Sequence, residues 1–78
     1  MSKINEFVKE QRESRKWSLR EMSSQTGLSH SYIALLEDTN TEPSIDTLTK
    51  LANAFGMSLT EILQAGGYLD EKDAEVAM

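Results

Sequence analysis

Few side chains in this sequence are able to do covalent chemistry. The 78 residues hold one histidine, His30, and no cysteine, so neither a thiolate nucleophile, a cysteine zinc site nor a disulfide framework is possible. There is no phosphate-binding glycine loop and no cluster with metal-ligand spacing. The acids of residues 70–75 lack the alternating ligands and the glycine of a calcium loop. These absences argue against an enzyme and imply no cofactor, metal or small-molecule ligand. What remains is recognition chemistry. His30, Ser31, Ala34, Leu35 and Asp38 are left over on the outward face of one short helix, offering an imidazole, a hydroxyl and an aliphatic side chain to a partner.

That face exists because the opposite one is taken. Leu28, Ile33 and Leu36 recur at helical spacing, as do Leu19, Met22 and Thr26 before them, and Gly27 stands between the two sets where the chain must turn. Ser18 is an N-cap, and Glu21, three residues on, completes a capping box. Trp17 and Met22 have the spacing of a hydrophobic staple. Ser29 caps the second helix. Ser23 is small enough to sit where the helices cross, and Gly27 tolerates the positive φ of a tight turn. Two short helices joined steeply through a glycine are the pattern of a helix-turn-helix.

The rest of the chain reads as scaffold for that pair. A first helix runs from about residue 3 to 16, with Ile4, Phe7, Val8 and Gln11 inward and Arg12 at the edge of that face. The second helix of the pair spans about residues 30–38. Residues 38–43, DTNTEP, form a polar loop without apolar anchors, and Pro43 prevents its predecessor from continuing a helix. Ser44 caps a fourth helix with the apolar stripe Ile45, Leu48, Leu51, Ala52 and Phe55, ended by Gly56. Ser58 and Glu61 form a second capping box and open a fifth helix with Leu59, Ile62 and Leu63 inward. Gly66 and Gly67 stop it. The expectation is an all-α, five-helix domain over residues 1–67, followed by an acidic tail or short extra helix over residues 68–78.

Charge is unevenly distributed. The net charge is −5, which on its own disfavours nucleic acid. Residues 1–36 nevertheless carry six basic against four acidic residues, whereas residues 37–78 carry two against nine. Positive charge therefore gathers around the helix pair, and the acidic remainder aids solubility and limits promiscuous binding. No apolar run is long enough to span a bilayer and the first residues lack a signal-peptide core, so a soluble cytoplasmic protein is expected.

The run from Ser18 to Leu63, with SLREMSSQTGLS opening it, SYIALLE as its second helix and NTEPSIDTLTKLANAFGMSLTEIL as its continuation, resembles the phage repressor and Cro (Xre) family of DNA-binding domains. The resemblance implies a five-helix fold and a sequence-specific regulator that binds double-stranded DNA, usually as a homodimer on a near-palindromic operator. It places the third helix in the major groove, N-terminal end deepest. His30 and Ser31 are then the first candidates for base-edge contacts, with Leu35 as apolar support against a thymine methyl. Arg20, Tyr32, Asn40, Thr41 and Ser44 are candidates for phosphate contacts, together with backbone N–H groups at helix N-termini. Two positions depart from the family pattern. Leu19 stands where a glutamine commonly reaches a phosphate, and Leu35 where a long polar side chain is common.

The resemblance also implies that Arg12 pairs with Glu37, tying the recognition helix to the scaffold. Ile62, Tyr68 and Leu69, at the end of the fold, are the candidate dimer interface. Three classes fit these features: a small regulator of a prophage, mobile element or restriction-modification system; the DNA-binding half of a larger antitoxin or ligand-sensing repressor; and a protein-binding module that kept the fold, for which the acidic balance and Leu35 speak.

Overall fold

The computed structural model describes residues 3–69. They form five helices: α1 (Lys3–Ser14), α2 (Leu19–Thr26), α3 (His30–Asp38), α4 (Ile45–Phe55) and α5 (Leu59–Ala65). No strand occurs among the described residues. The acidic tail expected over residues 68–78 lies outside them except for Tyr68 and Leu69. α1 packs against α3 and α5, α2 against α3 and α4, and α4 against α5. One core results, built from Ile4, Val8, Met22, Leu28, Ile33, Leu36, Leu48, Leu51, Ala52, Phe55 and Ile62. Each large aliphatic side chain so buried contributes about 1.5–3 kcal/mol, so every helix supplies part of a small total.

α1 ends two residues before the sequence suggests. The reason is a tight reversal: the Lys16 amide returns to the Glu13 carbonyl (3.0 Å) and the Trp17 amide to the Arg12 carbonyl (3.1 Å). This places Trp17 half-buried, stacked on Phe55 with centroids 6.3 Å apart, while Phe7 meets the same ring edge-on at 6.3 Å. The Arg15 guanidinium lies 4.9 Å from the Phe55 centroid and donates to the Phe55 carbonyl at 3.0 Å. The reversal thus docks the end of α1 on the end of α4.

The turn between α2 and α3 is held by short hydroxyls. Gly27 adopts φ 78°, a conformation that costs a residue with a Cβ about 1–2 kcal/mol. Around it, Ser23 Oγ donates to the Leu28 carbonyl at 2.6 Å, and Thr26 Oγ1 accepts from the Leu28 amide at 3.1 Å while donating to the Met22 carbonyl at 2.8 Å. Ser18 caps α2, its Oγ accepting from the Glu21 amide at 3.1 Å. The expected capping box there is half-formed, because the Glu21 carboxylate accepts from Gln25 Nε2 instead. The box at Ser58 and Glu61 is reciprocal. It holds the Glu61 carboxyl below its ordinary pKa, chiefly through the Ser58 backbone amide and then the Ser58 hydroxyl.

Two expectations are corrected. Ile45 is 60% exposed rather than inward, since the first turn of α4 overhangs the core and the buried stripe starts at Thr47 and Leu48. The loop before α4 does have an apolar anchor, because Pro43 is buried.

Gly66 is required by contact rather than by φ. A Cβ there would lie 2.9 Å from Ile4 Cδ1 and 3.1 Å from both Ile4 Cβ and the Tyr68 ring. Gly66→Ala is therefore expected to lower stability by about 1–3 kcal/mol through overpacking, read as a lower urea midpoint at unchanged m-value. An unchanged midpoint would show that the α1–α5 contact yields without cost.

Candidate nucleic-acid interface

The outward face of α3 is only as well placed as α3 itself, and two polar clamps from α1 fix its C-terminal half. Arg12 Nε donates to Glu37 Oε2 at 2.7 Å and Nη2 to Oε1 at 3.0 Å, a two-point guanidinium–carboxylate pair. Its remaining amino group donates to the Trp17 carbonyl at 2.8 Å. The Glu37 side chain is 4% exposed and that of Arg12 17%. The guanidinium pKa is raised, chiefly by the Glu37 hydrogen bond and against the effect of burial. The second clamp is Asn5, fully buried, whose Nδ2 donates to the Leu36 carbonyl at 2.6 Å and the Thr41 carbonyl at 3.1 Å. Sequence reasoning missed Asn5. The available signal was its place seven residues before Arg12, on the same side of α1.

With its inner face thus committed, α3 presents His30, Ser31 and Leu35 to solvent, flanked by Asp38 and the half-buried Ala34. Ser29 Oγ caps the helix by accepting from the Tyr32 amide at 3.1 Å, leaving His30 and Ser31 in the first turn. Leu35 is 45% exposed, so an aliphatic surface lies beside the two polar side chains. A hydroxyl, an imidazole and methyl groups in a row suit the mixed donors, acceptors and thymine methyl of a major groove.

The residues expected at phosphates are placed unequally. Arg20 is exposed and makes no ion pair among the described residues. Tyr32, Thr47 and Ser44 form a chain of hydroxyls: Ser44 Oγ accepts from the Thr47 amide and donates to Thr47 Oγ1 at 3.1 Å, and Thr47 Oγ1 lies 3.3 Å from the Tyr32 hydroxyl. Either hydroxyl can donate in the Tyr32–Thr47 contact, and when Thr47 donates the phenol keeps its own proton for an outside acceptor. Ser44 itself is occupied as the N-cap of α4. Thr41 is half-buried and its hydroxyl is engaged in a 2.6 Å hydrogen bond with Thr39 Oγ1, while Asn40 is exposed.

The basic surplus near the helix pair is smaller on the surface than in the sequence. Arg12 is consumed by Glu37 and Arg15 by Phe55 and Gln11, and Lys50 lies 3.3 Å from Asp46. Lys16 and Arg20 remain exposed where α1 passes into α2.

The expected dimer residues divide. Ile62 is fully buried and belongs to the core, packed under α4, so it offers no surface to a second copy. Tyr68 is 39% exposed and Leu69 half-buried. The Tyr68 hydroxyl donates to the Glu42 carboxylate, tying the segment after α5 to the loop that follows α3.

The family model of the helix-turn-helix domain matches residues 5–67. The chain belongs to the helix-turn-helix domain family. No curated protein and no solved structure matches it. The matched span begins at Asn5 and includes both clamps, the turn at Gly27 and all of α5, in keeping with the all-α repressor-like fold and with the DNA-binding regulators that use it. No helix among the described residues is long and apolar enough to cross a membrane.

Two outcomes test this helix-turn-helix scaffold. Arg12→Ala strands the Glu37 carboxylate in the interior and releases the Trp17 carbonyl, and is expected to cost about 3–5 kcal/mol in chemical denaturation. A midpoint equal to that of the parent would reduce the pair to surface decoration. The Tyr68 hydroxyl has its pKa pushed up to about 12, first by partial burial and then by the Glu42 carboxylate. Because the folded value exceeds the unfolded one, the stability it contributes is complete below pH 10 and is lost between about pH 10 and 12. Tyr68→Phe should flatten that alkaline loss, and the tyrosinate absorbance that the substitution removes should rise in the folded parent only near pH 12. Ionisation of Tyr68 near pH 10 would contradict the contact.

Proposed function

We propose that this chain is a sequence-specific DNA-binding transcriptional regulator that acts as a repressor of a prophage, mobile element or restriction-modification system. The observation that carries the reading is the exposed row of His30, Ser31 and Leu35 on a helix whose opposite face is pinned by the Arg12–Glu37 pair and Asn5. A helix immobilised this way presents base-reading groups without ordering them at the moment of binding. Arg20, the Tyr32 phenol and Asn40 are the side chains best placed to set register on phosphates, and the backbone amides at the start of α4 add to them. Thr41 and Ser44 reach a phosphate only by giving up internal hydrogen bonds.

One copy of this surface reads too few base pairs for operator-level discrimination. A homodimer reading two half-sites about 34 Å apart supplies the remainder, with Tyr68 and Leu69 as the side chains at its interface. Repression follows from such a dimer covering the DNA that polymerase must occupy.

A second reading is favoured by the exposure of Leu35 at 45% and Ile45 at 60%, with Asp38, Glu42 and Asp46 also exposed on α3, its following loop and α4. Aliphatic groups among carboxylates suit a basic, apolar protein partner, as in an antitoxin or co-regulator. The two readings differ in their response to salt and to random DNA.

Selection from a random duplex library separates them. An enriched near-palindrome is expected, bound more weakly as salt rises from about 50 to 200 mM. Ser31→Ala and Leu35→Ala should each relax preference at one position per half-site by about 1–3 kcal/mol. No enrichment at low salt would overturn the DNA-reading assignment in favour of the protein-binding one.

A further inference from the structure

Three helices in this fold close with the same pair of backbone hydrogen bonds. After α4 the amides of Gly56 and Met57 return to the carbonyls of Asn53 and Ala52, and after α5 those of Gly67 and Tyr68 return to Gln64 and Leu63. After α1 the amides of Lys16 and Trp17 return to Glu13 and Arg12. This closure needs a left-handed residue at its first position. It is Gly56 at φ 71° and Gly67 at φ 81°, but Lys16 at φ 58° after α1. Lys16 is the one non-glycine residue with positive φ among the described residues. Backbone strain of this kind persists where surrounding contacts hold it, and it is enriched at functional positions, so a lysine kept where glycine would be relaxed raises the question of what its side chain does.

The surroundings indicate the use. The Arg12 guanidinium grips the Trp17 carbonyl at 2.8 Å and the Glu37 carboxylate at 2.7 Å, so the turn carrying Lys16 is fastened to the C-terminal end of α3. That end is electrostatically hostile to phosphate, since Asp38 lies there and the helix dipole adds negative character. The neighbouring Arg15 gives no relief, because its guanidinium is stacked over the Phe55 ring and hydrogen-bonded to Gln11 and Phe55. Lys16 points to solvent with no ion pair among the described residues, four positions before Arg20, which is likewise exposed and unpaired.

We infer that Lys16 is a phosphate-contacting residue, holding the DNA backbone where it passes the C-terminal end of the recognition helix. This rests on the DNA-binding reading above. Its contribution is to affinity and register rather than to sequence preference, because an ammonium on a phosphate carries no base information. The same position is where glycine would fold at least as well, so binding and folding make opposite demands on it.

The test uses the full chain and its selected duplex, beside an unrelated duplex, with affinities measured across a salt series. Lys16→Gly should fold with an unlowered thermal midpoint yet bind both duplexes more weakly. Each released phosphate contact scales as about the 0.9 power of salt concentration, so the loss is about eightfold per bound protomer near 0.1 M salt. The log–log salt slope should become shallower by about 1 per protomer, with discrimination between the duplexes unchanged. Lys16→Asn, neutral but tolerant of left-handed backbone, should reproduce the loss, and Lys16→Arg should restore affinity and slope. Parent-like affinity and slope in the glycine and asparagine variants would overturn the inference while leaving the DNA-binding reading intact. A parent that binds neither duplex at about 50 mM salt would overturn both.

Discussion

A carboxylate left 4% exposed in a domain of 78 residues is tolerable only if its charge is answered on the spot, and much of this molecule is arranged to answer Glu37. The two-point contact from Arg12 does so. Because Arg12 sits in the last turn of α1 and Glu37 in the last turn of α3, the same contact fixes the angle between scaffold and recognition helix. The third hydrogen bond, to the Trp17 carbonyl, extends the constraint to the entry of α2. A buried ion pair of this kind is poor value as stabilisation, since an apolar pair of equal volume often does as well. Its worth is directional. Aliphatic packing permits small rotations of one helix on another, whereas a fork of hydrogen bonds does not.

The remaining polar contacts extend that logic to the ends of α3. Asn5 occupies carbonyls on both sides of the helix end, Thr39 caps the Leu35 carbonyl at 2.6 Å, and Ser29 caps the start. The apolar core sets how tightly the five helices close, and these hydroxyls, amides and one guanidinium set where α3 stops and which way it faces. No buried side-chain nitrogen or oxygen among the described residues lacks a partner. The exposed side of α3 is left with side chains that have no internal task.

Much of this was legible before any coordinates. The apolar spacing around Gly27, the serines at 18, 29, 44 and 58 and the stripe of α4 are local signals, because caps and amphipathic faces arise from residues three or four apart. They located all five helices and separated the inward from the outward side of α3. What stayed hidden depends on residues distant in sequence. Asn5 reaches carbonyls 31 and 36 positions away, and Tyr68 meets Glu42 across 26; helical spacing could put Asn5 on the Arg12 side of α1 but could name neither its partners nor those of Tyr68. Ile45 matched the helical stripe yet is exposed, since periodicity reports a face but not where the core beneath it ends. Ile62 failed as an interface residue for the converse reason, lying late in the chain but at the centre of the packing. The strain at Lys16 was invisible because lysine is ordinary at a helix end until its φ is known.

Electrostatics complete the account. A chain with net charge −5 approaches DNA against long-range repulsion, and two of the arginines nearest the helix pair are spent on structure. On the proposed reading, binding rests on a few well-placed contacts rather than on a positive field. The most direct test of the claim that α3 and its two flanking cations form the DNA-facing surface is a titration of isotope-labelled protein with duplex, followed by backbone amide chemical shifts. The largest changes should fall on His30, Ser31, Leu35, Lys16 and Arg20, with α5 undisturbed on monomer-scale duplexes. Shifts concentrated on α5 and Tyr68, or none at low salt, would contradict it.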